Sequence, residues 1–165
     1  PLGGARLVTA SALFDLMSAQ FVTTLVQRLA GLRNGWPCGL YAALNYDGTT
    51  RWEPSHPYDE TVLEAFNNDQ RRDKGTGVAL GPDAAAFLVQ ALGKSGFNVL
   101  TANSPWRLDR TDKPMIEALI NGIATAVGND HGLDAVKLDE WREFRLAHAS
   151  TGNCTVGHID VLALP

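Results

Sequence analysis

Hydrophobic residues recur along this chain in two alternating rhythms. "ARLVTAS" carries a short apolar run, Leu7 to Ala10, into small residues, as the end of a strand does. "AQFVTTLVQRLAGL" then places Phe21, Val22, Leu25, Leu29 and Leu32 at steps of three and four, the period of an amphipathic helix. The stretch from Gly31 to Pro37 ends it. "LYAALNYDG" predicts a second strand, Leu40 to Asn45, closed by the turn pair Asp47-Gly48. After a segment rich in Pro and His, Asp59 is an N-cap for "ETVLEAFNNDQRR". Pro82 suits the first position of a helix over "GPDAAAFLVQALGKSGF", with Gly96 as its stop. "FNVLTANSPWRL" predicts a strand running out at Ser104-Pro105. Asp112 then caps "KPMIEALINGIATAVGN", a further helix covers "KLDEWREFRLAHAS", and "NCTVGHIDVLALP" is a closing strand.

Strands that alternate with helices in this way predict an α/β sheet, because parallel neighbours need crossovers of helical length. With 165 residues, 45% of them hydrophobic, a single globular α/β domain over residues 1–165 is expected. A net charge of -4 gives no general attraction to phosphate backbones or anionic lipid, so neither nucleic acid nor membrane is favoured as a partner. Cys38 and Cys154 lie far apart without paired spacing, which argues against a disulfide framework or zinc knuckle and for a cytoplasmic setting. The chain opens at Pro1 without an initiator Met and meets an apolar strand within a few residues, so its gene is expected to start upstream.

Familiar catalytic signatures fail on spacing. "LGKSG" would need its earlier phosphate-loop glycine at Leu88, and "GTGVALG" has Leu80 where a dinucleotide loop needs its third glycine. There is no GxSxG elbow, and His56, His131, His148 and His158 are scattered without ligand spacing, so no metal centre is expected. Three places keep two interpretations each. Asp15 follows the small residues at the end of the first strand, where an acid orients a ligand or merely starts a helix. "FNNDQRRDKGTG" crowds Asp69, Gln70, Arg72 and Lys74 into a helix end that either grips a polar ligand or is a solvated face. In "NSPWRL", Trp106 covers a pocket and Arg107 contacts an anion, or Trp106 simply packs under a loop.

Taken together, "LVTASALFDLMS", "LYAALNYDG", "FNNDQRRDKGTGVALGPDAA", "FNVLTANSPWRL" and "VGHIDVLALP", in this order, resemble the C-terminal half of a class I S-adenosylmethionine-dependent methyltransferase of bacterial type. The resemblance covers nearly the whole chain. It implies a partial Rossmann-like sheet made of strands 4, 5, 7 and 6 of that seven-stranded fold, with the last strand of the chain antiparallel. Leu7–Ala10 would be strand 4, Leu40–Asn45 strand 5, Asn98–Ala102 strand 6 and His158–Leu164 strand 7. The family's glycine-rich loop and ribose-binding acid, which precede this half, have no counterpart in the chain.

The resemblance further implies that Thr9 and Ser11 border the cofactor, S-adenosylmethionine, and that Asp15 is a catalytic base or orienting group. Tyr46, Asp69, Gln70, Arg72, Lys74 and Trp106 would form the substrate side, for a small-molecule methyl acceptor. The intact protein would then be a methyltransferase and this chain alone inactive, with self-association or the missing N-terminal half completing it. The rival expectation is a non-catalytic binding or scaffold module that completes a partner's α/β sheet.

Overall fold

The computed structural model describes residues 4–32, 35–130 and 132–165. Pro1, Arg33 and Asn34 in the predicted break after the first helix, and His131 lie outside them. The elements are β1 (Leu7–Ser11), α1 (Ala19–Gly31), β2 (Gly39–Glu53), α2 (Asp59–Gln70), α3 (Ala84–Lys94), β3 (Asn98–Asn103), β4 (Trp106–Leu108), α4 (Lys113–Val127), α5 (Ala135–Ala147) and β5 (Asn153–Leu164). The sheet order is β1-β2-β5-β3, with β4 also paired to β5. β1 runs parallel to β2, from Leu7 opposite Gly39 to Ser11 opposite Ala43. β5 lies between β2 and β3 and is antiparallel to β3, from Asn98 opposite Leu164 to Asn103 opposite Ile159. The protein is thus α/β with a mixed sheet. Among the described residues no helix is long and apolar enough to cross a membrane.

Two compact units share the chain. The first comprises Pro1–Asp47, Gln70–Ser104 and His158–Pro165, and the second Gly48–Asp69 and Pro105–Gly157. In the first unit, Val22, Val26 and Leu29 of α1 and Leu88 and Leu92 of α3 bury against Leu40 and Ala42 of β2 and Val161 and Ala163 of β5. Alternation along β1 turns Val8 and Ala10 toward this core and leaves Leu7, Thr9 and Ser11 exposed. In the second unit, Ile116, Ile120, Ile123 and Val127 of α4 and Leu138 and Trp141 of α5 are buried, and α4 packs on α5.

Four local expectations change. The buried stripe of α1 is Val22, Val26 and Leu29, while Phe21 stays 41% exposed. Asp47-Gly48 is not a turn: Gly48 takes a left-handed φ of 87° inside β2, which continues to Glu53. The strand before Ser104-Pro105 resumes beyond it as β4. Asp112 stands at the N-cap position of α4 as expected, but its side chain makes no cap bond to that helix; it closes a capping box with Asp109 around the preceding 3-10 turn, Arg110–Asp112.

Candidate functional site

Parallel strands β1 and β2 run side by side until β1 ends at Ser11, opposite Ala43, and polar and strained residues gather where that pairing stops. Ala12 and Leu44 have φ values of 49° and 54°, the only left-handed non-glycine residues among those described. That region disfavours side chains with a Cβ, at a cost of about 1–3 kcal/mol for each residue held there, and residues so held tend to cluster at functional sites. Ala12 begins the turn out of β1, its N–H donating to the carbonyl of Ala43. Leu44 interrupts the alternation of β2, so that Asn45 and Tyr46, adjacent in sequence, are both buried.

Each of the two strained positions precedes a buried polar group. Asp15 lies in a 3-10 turn, Phe14–Leu16, that Phe14 anchors in the core, and its Oδ1 is buried without a hydrogen-bond partner. Burial raises its carboxyl above the ordinary value, opposed by the N–H groups of Asp15 and Leu16 and by the charge of His158. Asn45 donates from Nδ2 to the carbonyls of Ala42, at 3.0 Å, and Ile159, at 2.8 Å, leaving its own Oδ1 buried and without a hydrogen bond. Tyr46 meets the ring of His158 edge to face, 6.3 Å between centroids.

Beyond His158 on the same face of β5, Asp160 accepts hydrogen bonds from the Tyr41 hydroxyl at 2.6 Å, the Leu44 N–H at 2.9 Å and the Ser104 hydroxyl at 2.5 Å. Burial acts to raise its carboxyl, but those three donors and His158 outweigh it and hold the group below the usual carboxylate range. The same contact raises the Tyr41 hydroxyl, through its hydrogen bond to Asp160 and then the Asp160 charge. Asp160 therefore fixes the kink at Leu44 as an ionised acceptor. Asp15, with its raised carboxyl, is the group suited to take up a proton.

Nearby along the chain, the loop after α2 folds back on the start of α1. Asp73 Oδ1 receives the N–H groups of Gly75 and Gly77, Ser18 N–H donates to the Thr76 hydroxyl, and Leu80 N–H to the Met17 carbonyl. A groove of about 410 Å³ runs beside this junction, lined by Ser18, Phe21, Thr24, Leu25, Arg28 and Thr76 among others.

Of the residues singled out in the sequence, Tyr46 meets His158, whose charge also acts on Asp15. Thr9 and Ser11 are exposed on β1, opposite Tyr41 and Ala43 of β2. Gln70 ends α2, and Arg72 and Lys74 are exposed on the loop that follows, within the first unit. Asp69 and Trp106 belong to the second unit, where Trp106 is 37% exposed on β4. Asn45 and His158 were missed. A histidine and an aspartate two residues apart in an apolar closing strand, "VGHIDVLAL", are the signal that marked that face as polar. Among the described residues, no group of three or more His, Cys, Asp or Glu is placed to hold a metal ion.

Neither the known protein families nor the curated proteins yield a match to this chain.

Proposed function

We propose that the chain is the substrate-side half of a class I S-adenosylmethionine-dependent methyltransferase that acts on a small molecule. The observation that carries this reading is the sheet order β1-β2-β5-β3, with the first two strands parallel and the last strand of the chain antiparallel to β3. It is the order expected of strands 4, 5, 7 and 6. Ligands of open α/β sheets lie outside the carboxyl ends of parallel strands, and here Asp15 and the strained Ala12 occupy that end of β1.

The residues fit one side of the cofactor. Small side chains at Ser11 and Ala12 leave space beside β1, and Asp15 presents a buried, hydrogen-bond-deficient oxygen. Among the described residues no glycine-rich loop follows a strand, so under this proposal adenosine contacts would come from residues outside this sequence. When bound, the cofactor supplies an electrophilic methyl group. Asp15 would orient the acceptor and receive its proton as the new bond forms, and Tyr46 and His158 would wall the acceptor side and exclude water. Gln70, Arg72 and Lys74, in the same unit, are further substrate-side positions under the same proposal.

The reading frame upstream of Pro1 is the first check, since it should encode a glycine-rich segment. Calorimetry on the full-length product should then give saturable S-adenosylmethionine binding, whereas the 165-residue chain alone should give none. An intact product that fails to bind the cofactor overturns the proposal. A second reading, a module completing a partner's sheet, is favoured by one feature: among the described residues β1 pairs with β2 alone, and its other edge is open.

A further inference from the structure

Beside the stripe that it buries, α1 carries a second line of side chains. Val22, Val26 and Leu29 turn into the core, while Phe21, Leu25 and Arg28 follow one another at steps of four and three along the neighbouring side. Thr24 lies alongside them. At the start of the helix the line is closed by Ser18, whose N–H donates to the Thr76 hydroxyl at 3.2 Å. These residues line the groove of about 410 Å³. One helix supplies most of the lining, so helix geometry sets its dimensions, with Phe21 and Arg28 about 10 Å apart along the axis. Long helical side chains lean toward the helix N-terminus, which turns Arg28 toward Leu25 and accounts for its place in the groove wall.

No acid balances that cation within the groove. Arg28 is the one charged residue among those that line it, and among the described residues it makes no ion pair or hydrogen bond. The sequence carries no Asp or Glu from Leu16 to Tyr46, and α3, which packs against α1, has none either. On the adjoining turns, Asp73 Oδ1 receives the N–H groups of Gly75 and Gly77, and Asp83 pairs with Arg71 at 3.0 Å. Asp15 precedes the first turn of α1, about three turns from Arg28. A half-exposed aromatic ring and an aliphatic side chain beside an unbalanced guanidinium suit a ligand with an apolar body and one anionic end. A carboxylate matches both the single charge and the planar fork, which can donate two parallel hydrogen bonds to it.

We infer that this groove binds a small carboxylate with an aromatic body, the ring lying on Phe21 and Leu25 and the carboxylate on Arg28. The site lies within the first unit and does not depend on the methyltransferase reading.

The test is an NMR titration of the chain with 4-phenylbutyrate and, in separate arms, 4-phenylbutanol and butyrate, all at constant ionic strength. 4-Phenylbutyrate should saturate with a dissociation constant on the order of 1 mM and shift the amides along α1. The alcohol, which lacks the charge, and butyrate, which lacks the ring, should each bind about fivefold more weakly or worse. Arg28→Gln should weaken the acid about fivefold and leave the alcohol unchanged, whereas Phe21→Ala should weaken both. Lys94→Gln, which removes the same charge from the end of α3, should change neither. The proposal is overturned if the acid fails to saturate below about 20 mM, if the alcohol binds as tightly as the acid, if Arg28→Gln binds the acid as the parent does, or if Lys94→Gln weakens it equally. An apparent dissociation constant that rises in proportion to protein concentration overturns it as well, because a second copy of the chain would then be the occupant.

Discussion

Removing the charge of Asp59 should destabilise the second unit more than any surface substitution there, because Arg145 would lose the one carboxylate it pairs with among the described residues. Arg145 is 3% exposed on α5. Its guanidinium donates twice to the Asp59 carboxylate and once to the Pro54 carbonyl at 2.6 Å, and lies over the rings of Trp52 and Phe144 at 5.2 and 5.3 Å. Burial acts to lower the Arg145 pKa, and Asp59 opposes that by favouring the charged form. Asp59→Asn leaves a buried cation with neutral acceptors and two ring faces but no counter-charge, and an orphaned buried charge costs about 3–5 kcal/mol. The stability of a whole domain is about 5–15 kcal/mol, so the loss is a large fraction of it. Urea unfolding followed by tryptophan fluorescence reads the effect directly, since Trp52 and Trp141 border the pair and Trp141 Nε1 donates to Asp59 at 2.8 Å. Arg145→Met added to Asp59→Asn removes the stranded charge and should recover at least about 2 kcal/mol of the loss. A single-variant loss below about 1 kcal/mol, or a double variant whose loss is the plain sum of the two singles, would refute the reasoning.

Three further outcomes follow from other parts of the structure. Asp15 has its carboxyl raised by burial, so the folded state holds a proton that the unfolded state releases between the ordinary value of 3.8 and the raised one; stability falls as pH rises through that window and stays lower above it. Asp15→Asn should therefore raise the melting temperature at pH near 7 and have no such effect below the ordinary carboxyl value, and an equal shift at both would exclude the ionisation as its cause. Leu88→Ala, at a fully buried position of α3, should lower unfolding free energy by about 2–5 kcal/mol in denaturant titration, and a loss under about 1 kcal/mol would contradict its place in the core. The open edge of β1, "LVTAS", carries no charge or proline to block pairing, so light scattering should detect self-association that Thr9→Lys reduces; a monomer at all concentrations would show that the edge is protected.

What the sequence conveyed best was the content of each element, because helix and strand periods are local. The strands were assigned from alternation and from turn residues, and the sheet places them in the predicted neighbour order. The errors arise where tertiary contacts override local preference. Leucine seldom adopts a left-handed φ, yet Leu44 does so because Asp160, 116 residues away, binds its N–H. Asp47-Gly48 has the composition of a turn, but pairing carries β2 through it, using the glycine's tolerance of φ 87° without reversing the chain. Asp15 was legible as an acid after small residues. The charge of His158 acting on it was not, since that depends on the closing strand entering the middle of the sheet. The link from Arg145 to Asp59, 86 residues apart, was hidden for the same reason, as nothing in "WREFRLAH" distinguishes a buried arginine from an exposed one.

The interleaving of the two units governs how this protein can be cut, grafted or inherited. Their segments alternate along the chain, so the backbone passes from one unit to the other four times. Two of the passages, at Asp47-Gly48 and Gly157-His158, fall inside strands β2 and β5. No contiguous stretch of sequence contains one unit whole without part of the other. A protease nick at one passage leaves the units joined through the other three, and a gene fusion that takes one unit must also take strand residues of the other. Recombination can therefore move the two only together, and substitutions that improve one are carried along with whatever they do to its companion.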